Sequence, residues 1–171
     1  MSKIYNIFIF FRDLRLKDNT GLIEAQKQGY KNILPIFIFV DEQINPKKNK
    51  YFSNNSVQFL CESLFDLQLN LKSKNKELYI FHSSKIINVL ESILKNIKIQ
   101  GIHFNQDYTN YAMNRQKNIM KWCNKNEIEC CVYEDYLLSK IGTFNKKDNT
   151  VYGVYSPFKN NVYSNIGEIS L

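Results

Sequence analysis

The sequence lacks the residue patterns that mark most self-sufficient enzymes. It has neither of the glycine-rich phosphate cradles, G-x-G-x-x-G and G-x-x-x-x-G-K-[ST]. It also lacks the zinc pattern H-E-x-x-H and the serine elbow G-x-S-x-G. Histidine occurs only as His82 and His103. Because no nucleophile, base and orienting group come together, we predict that the chain alone is not catalytic, with no catalytic residue and no metal site.

Signals for export, membrane insertion and disulfide formation are missing as well. The amino terminus has no apolar stretch that ends in a small-residue cleavage site, and no run approaches the ~20 apolar residues that span a bilayer. The four cysteines show no C-x-x-C spacing, and Cys130 and Cys131 lie in an apolar segment, as buried structural cysteines do. These features predict a soluble, intracellular protein without membrane contact, and they do not distinguish cytoplasm from nucleus.

Positive charge is abundant, but arginine is scarce. The net charge is +7, from 23 Lys and Arg against 16 Asp and Glu. The lysines are scattered, and the chain is rich in residues with AT-rich codons, so we do not assign the charge to nucleic-acid binding. Only Arg12, Arg15 and Arg115 are arginines. Since arginine offers a planar fork of donors that lysine lacks, the surroundings of these three are of particular interest.

Apolar runs alternate with helical patterns along most of the chain. Strands are predicted over residues 5–11, 33–40, 78–81, 99–105 and 128–133, and helices over residues 19–28, 56–71, 86–97 and 109–124. Asp18 or Asn19 is expected to cap the first helix and Gly29 to end it, and Ser83 or Ser84 to cap the third. The alternation predicts an α/β fold, a five-stranded doubly wound parallel sheet of Rossmann-like type, over residues 1–135. Residues 136–171 are expected to form an extended C-terminal tail.

In a sheet of this kind, ligands bind beyond the carboxyl ends of the strands. That rule selects residues 12–19, the segment from Asp41 onward, His82, and residues 105–111.

Three segments resemble one known family. Residues 8–22 (FIFFRDLRLKDNTGL) resemble the opening signature of DNA photolyases and cryptochromes, a strand followed by F-R-x-D-L-R-L-x-D-N or a close variant. Residues 105–115 (NQDYTNYAMNR) are similar to the N-x-D-Y-T-P-Y-A-x-x-R-D stretch of that family, with Asn110 in place of Pro and Gln116 in place of the final Asp. Residues 152–158 (YGVYSPF) resemble the later Y-x-V-F-T-P-F segment. The three occur in the family's order.

The resemblance implies an N-terminal antenna or scaffold half of a DNA photolyase, truncated or split before the helical domain that binds FAD. Blue-light-driven repair of pyrimidine dimers would then require that helical half as a separate partner, and DNA would be contacted only through it. The aromatic residues of the tail are expected to contact this partner or to fold back over the sheet. The alternatives are a fragment of a cryptochrome-like light sensor and a stand-alone nucleotide- or flavin-binding module.

The resemblance also implies a pocket for an antenna chromophore, either a deazaflavin, a flavin or a folate. Its predicted residues are Arg12, Asp13, Phe39, Asn105, Asp107 and Tyr108. Folate is disfavoured because the acidic residue that some folate-binding members carry is absent at Thr109. For Arg12, Asp13 and Arg15 the alternative is an ion-pair network that fixes the loop and caps the next helix. Tyr108 and Tyr111 would either stack on the chromophore or pack the start of the following helix.

Overall fold

The computed structural model describes residues 3–166 and contains one five-stranded parallel sheet. The strands are β1 (Ile4–Phe10), β2 (Ile33–Val40), β3 (Tyr79–Ser83), β4 (Lys98–Asn105) and β5 (Glu129–Tyr133). The helices are α1 (Thr20–Lys27), α2 (Asp41–Ile44), α3 (Asn54–Lys72), α4 (Ile86–Asn96), α5 (Asn110–Lys125) and α6 (Tyr155–Asn165). The strand order is β3-β2-β1-β4-β5, and all neighbouring strands are parallel. The predicted doubly wound sheet is confirmed, and its switch point lies between β1 and β4.

Strand β1 shows why both faces of the sheet are covered. Residues 7–10 are completely buried. Ile7 and Ile9 belong to a core cluster that includes residues of α4 and α5, whereas Phe8 and Phe10 belong to a second cluster that includes residues of α3. Because successive side chains of a strand point to opposite faces, a continuous apolar run requires helices on both sides of the sheet.

The helix ends follow the sequence at two places and depart from it at one. The Asn19 side chain accepts a hydrogen bond from the backbone N–H of Leu22 and caps α1, and Gly29, at φ 76°, follows the end of that helix as predicted. The predicted serine cap of α4 is wrong. Strand β3 continues to Ser83, and the residue at the cap position is Lys85, which makes no side-chain capping bond.

The chain divides into two compact units, one ending at Tyr133 and one beginning at Glu134. In the second unit, residues 134–154 contain neither helix nor strand, but α6 corrects the expectation that the tail is extended throughout. Pro157 falls in the first turn of α6, where a missing N–H leaves no helical hydrogen bond broken. Within this unit the rings of Tyr152 and Phe158 pack at 6.2 Å. The expectations for residues 167–171 lie outside the described residues.

The short helix α2 occupies part of a segment that the sequence predicted as loop. No helix in the described part of the chain is both long and apolar enough to cross a membrane.

Candidate functional site

A buried hydrogen-bond network occupies the switch point between β1 and β4. The Asn105 amide at the end of β4 donates to Asp13 Oδ2 at 2.6 Å and to Asn19 Oδ1 at 2.9 Å. Its oxygen accepts the backbone N–H of Gly21 at 2.9 Å. The Asn19 amide in turn donates to Asp13 Oδ2 at 3.2 Å. The loop after β1 and the start of α1 are therefore tied to the end of β4 through side chains that are at most 2% exposed.

The Asp13 carboxyl group is the centre of this network. Burial raises its pKa, and hydrogen bonds from the Phe11 backbone, Asn105 and Asn19 partly oppose that shift. Its Oδ1 accepts the Phe11 N–H at 3.1 Å. The network fixes the loop after β1 and the cap of α1, as one of the two interpretations of this cluster expected. The hydrogen bonds to Asp13 described here come from amide groups, whereas that interpretation expected ion pairs.

A second polar group lies at the exposed end of the same edge. Arg12 Nη1 is 3.6 Å from Asp107 Oδ2, with the arginine side chain 62% exposed and the aspartate 11%. Asp107 Oδ1 also accepts the backbone N–H of Thr109, whose hydroxyl caps α5 by accepting from Ala112. An ion pair with so exposed an arginine contributes little to stability.

The remaining predicted stretches meet at the carboxyl ends of β2 and β3. Asp41 Oδ1 lies 2.8 Å from His82 Nε2, and Asp41 Oδ2 accepts from Lys48 Nζ at 2.9 Å. These two hydrogen bonds lower the pKa of Asp41. The pair is open to solvent, and no group of three or more potential metal ligands occurs among the described residues.

A cleft of about 420 Å³ opens at this edge of the sheet. Its walls come from the loop after β1, the end of β2, the segment 43–53, the start of α3, the β4–α5 loop and the start of α5. The side chains of interest are Phe11, Arg12, Tyr51, Asp107, Tyr111 and Arg115. The Arg115 guanidinium carbon lies 3.4 Å from the centre of the Phe11 ring and 5.7 Å from that of Tyr111. Aromatic faces and a flat cation therefore line one cleft.

A larger groove, of about 1050 Å³, shares Ile86, Tyr111 and Arg115 with this cleft. It runs between the start of α4 and the length of α5. Its charged lining residues are the cations Lys85, Arg115, Lys121 and Lys125 and the single anion Glu42. The groove thus extends the cleft toward a positively charged surface.

The structure separates the predicted site residues into four groups. Arg12 and Asp107 line the cleft, while Asp13 and Asn105 belong to the buried network. Phe39 packs edge-on against Phe37 at 5.0 Å within the α3-side core. Tyr108 is half-buried in the β4–α5 loop.

The predicted pocket residues did not include Phe11 and Arg115, whereas Tyr111, which also lines the cleft, was expected either to stack on the chromophore or to pack the helix start. Tyr111 and Arg115 stand in the second motif and one helical turn apart. That spacing places them on the same face of α5. From this spacing the sequence could have predicted that Arg115 lies beside Tyr111.

Comparison with known proteins gives one consistent relationship. The profile of the DNA photolyase family matches residues 6–168. A deoxyribodipyrimidine photo-lyase of Buchnera aphidicola is 26% identical over 94% of this chain and 33% of its own length. The crystal structure of an archaeal photolyase from Sulfolobus tokodaii, described as holding two FAD molecules and implying a novel light-harvesting cofactor, is 34% identical. It superposes with a TM-score of 0.73 over 83% of this chain and 32% of that one.

The Synechocystis cryptochrome shares the fold, with a TM-score of 0.84 at 18% identity over 100% of this chain and 35% of its own. The chain thus spans about a third of the length of these relatives. Since the family profile matches nearly all of the sequence, the chain belongs to the DNA photolyase family.

Proposed function

We propose that this chain is the antenna-binding or scaffold half of a DNA photolyase and holds a planar light-harvesting chromophore in the cleft. The observation that carries the proposal is the lining of the cleft, where Arg115 lies over Phe11 beside Tyr111, with Arg12 and Asp107 also in the wall. The cleft lies at the carboxyl edge of the sheet, where ligands of doubly wound folds bind.

The residues present fit a planar conjugated ring. The cleft volume of about 420 Å³ falls in the range of small-molecule sites. The ring faces offer stacking contacts, while Arg12, Asp107 and Arg115 supply polar groups that fix orientation. The Asp13–Asn19–Asn105 network holds the loop that carries Phe11 and Arg12, and rigid support of this kind keeps a site in a defined geometry.

The chromophore class favoured by the charges is a flavin nucleotide. The cleft opens past Arg115 onto a groove with four cations and one anion, which suits a ligand with a phosphate-bearing tail. The archaeal relative, described as holding two FAD molecules and implying a novel light-harvesting cofactor, supports the same class. A deazaflavin remains the alternative, and the folate option stays disfavoured because Thr109 is not acidic.

Repair itself is assigned to a helical partner domain. A bound chromophore supplies absorption of light, and the residues of this chain bind it, orient it and shield its faces. We assign electron transfer to a pyrimidine dimer to FAD in a helical half that acts as the partner of this chain. A light-sensing role is the second candidate, because a cryptochrome shares the fold, but nothing in this chain favours it over repair.

Titration of the full chain with riboflavin, FMN, FAD and a deazaflavin tests the chromophore proposal. Quenching of flavin fluorescence is expected on binding, with tighter binding of FMN and FAD than of riboflavin. Arg115→Ala is expected to weaken FMN binding by about tenfold or more, the equivalent of ~1.4 kcal/mol, and Arg115→Lys to restore only part of it.

Lys117→Ala serves as the control, because Lys117 is exposed on α5 and does not line either cavity. Failure of all four chromophores to bind, or equal affinity in the Arg115→Ala variant with an unchanged melting temperature, would contradict the proposal.

A further inference from the structure

A second polar cluster lies inside the sheet, outside the cleft and the switch-point network. Asn6 of β1 is paired across the sheet with Gly101 of β4, and His103 follows two residues later on the same face. Asn6 is 1% exposed and His103 is completely buried. Buried polar side chains are nearly always hydrogen-bonded, so each of their atoms requires an account.

Each of these side chains has one satisfied end and one unsatisfied end. The Asn6 amide nitrogen donates to the carbonyl oxygen of Lys31 at 3.1 Å, which leaves Oδ1 as an acceptor. His103 Nδ1 lies 3.0 Å from the Tyr133 hydroxyl. In the described part of the chain, Asn6 Oδ1 and His103 Nε2 are both buried without a hydrogen-bond partner.

The two unsatisfied atoms face the same point. A Cβ atom placed on Gly101 would lie 3.0 Å from Asn6 Oδ1 and 3.1 Å from His103 Nε2. Glycine in the interior of a strand weakens the strand and often marks a close approach of another group. The space that a side chain at position 101 would occupy therefore lies between Asn6 Oδ1 and His103 Nε2.

We propose that Asn6, Gly101 and His103 form a binding site for one internal water molecule. The water accepts a hydrogen bond from His103 Nε2–H and donates one to Asn6 Oδ1. The site selects water over an ion, because a cation would oppose the Nε2–H donor and an anion would oppose the amide oxygen. Internal waters of globular proteins occupy this kind of site, polar and enclosed, with two or more partners.

The surroundings of His103 define its protonation state. Burial lowers its pKa, and Glu129, the charged neighbour, opposes that shift only in part. The ring is therefore neutral near pH 7, with the proton on one nitrogen. In the proposed arrangement the Tyr133 hydroxyl donates to Nδ1, 3.0 Å away, which places the ring proton on Nε2, directed at the water. Tyr30 covers the ring edge-on at 4.5 Å while donating to Glu129 at 2.6 Å.

The result is a hydrogen-bond chain across three strands, from Tyr133 on β5 through His103 on β4 and the water to Asn6 on β1. Gly101 is required because the methyl group of an alanine would take the space of the water and leave both polar atoms unsatisfied.

A crystal structure of the full chain at about 1.8 Å or better provides the direct test. A single density peak within about 3.2 Å of both Asn6 Oδ1 and His103 Nε2 is expected. Nitrogen-15 NMR of the histidines should show His103 protonated on Nε2 and unprotonated on Nδ1 at pH 7. A direct bond between the two side chains with no peak, a peak with the anomalous signal of chloride, or the opposite tautomer would overturn the proposal.

Gly101→Ala is the matching variant. It is expected to lose the density peak and to lower the melting temperature by about 5 °C or more. Gly153→Ala is the control, because a Cβ at Gly153 would meet no atom within 4 Å. An unchanged melting temperature in Gly101→Ala would also count against the site. If that variant does not fold, the density peak and the His103 tautomer in the native chain test the proposal by themselves.

Discussion

At the residue scale, the fold alters the acid–base chemistry of the Asp13 side chain. It accepts hydrogen bonds from the amide groups of Asn19 and Asn105 and from the Phe11 backbone, and burial raises its pKa. The folded chain therefore binds the proton of Asp13 more tightly than the unfolded chain does. The resulting stabilisation is full below the ordinary pKa of 3.8 and is lost as the pH rises through the raised value.

Replacement of Asp13 with Asn is expected to destabilise the chain by about 1–3 kcal/mol at pH 7. The new amide would present its N–H groups to the donors of Asn19 and Asn105, which leaves buried donors unsatisfied. Because the variant cannot titrate, the difference in unfolding free energy between native chain and variant should be larger at pH 4 than at pH 7. Urea unfolding at both pH values measures this.

Asp66→Asn makes the same chemical change at an exposed position of α3 and serves as the control. A difference between native chain and Asp13→Asn that grows with rising pH would show that the folded state lowers the pKa of Asp13 rather than raising it.

At the scale of elements, the close approach of α1 to the sheet determines what its first turn can contain. A Cβ on Gly21 would lie 2.6 Å from Asn105 Oδ1, 2.8 Å from Phe8 Cε2 and 3.1 Å from Tyr133 Cδ2. These atoms belong to buried or partly buried side chains of three different strands. The start of α1 is therefore pressed against the switch point.

Gly21→Ala is expected to destabilise the chain by about 1–3 kcal/mol, as overpacking of a core does. This is opposite in sign to helix propensity, which favours Ala over Gly by roughly 1 kcal/mol in a helix interior. Thermal and urea unfolding measure the change. Gln26→Ala, at an exposed position of the same helix, should stay within about 0.5 kcal/mol. A stabilised Gly21→Ala variant would mean that the helix stands farther from the sheet than described.

At the scale of the whole molecule, the proposed function calls for a helical flavin domain as a partner. The chain spans about a third of the length of its relatives, and Tyr155 and Tyr163 of the second unit are each 72% exposed. Exposed aromatic side chains are common anchors of protein interfaces.

We expect the purified chain to show no loss of thymine dimers under blue light. Co-expression with a helical flavin domain from the same genome should give a complex that co-purifies and restores light-dependent repair. A joint Tyr155→Ser and Tyr163→Ser variant should weaken this complex, whereas Phe65→Ser, at an exposed position of α3 outside both cavities, should not. Repair by the isolated chain, or two halves that neither associate nor repair when mixed, would exclude a split photolyase.

The sequence alone was sufficient for the fold of the first unit. Apolar runs such as residues 7–10 are too short for most helices, and they alternate with helical patterns, so local residue preference and packing led to the same parallel sheet. The sequence also placed Asn19 and Gly29 correctly at the ends of α1, because helix caps depend on local backbone geometry. The general rule that ligands of doubly wound sheets bind beyond the carboxyl ends of the strands selected the edge at which the proposed site lies.

Only the tertiary structure decided which polar residues are buried and which line the cleft. Asp13 and Asn105 are 92 positions apart, and their hydrogen bond depends on the pairing of β1 with β4, which no local pattern encodes. The same pairing brings Asn6 and His103 to Gly101, and the packing of α5 places Arg115 over Phe11. Local sequence determines the elements, whereas long-range contacts between them determine the site.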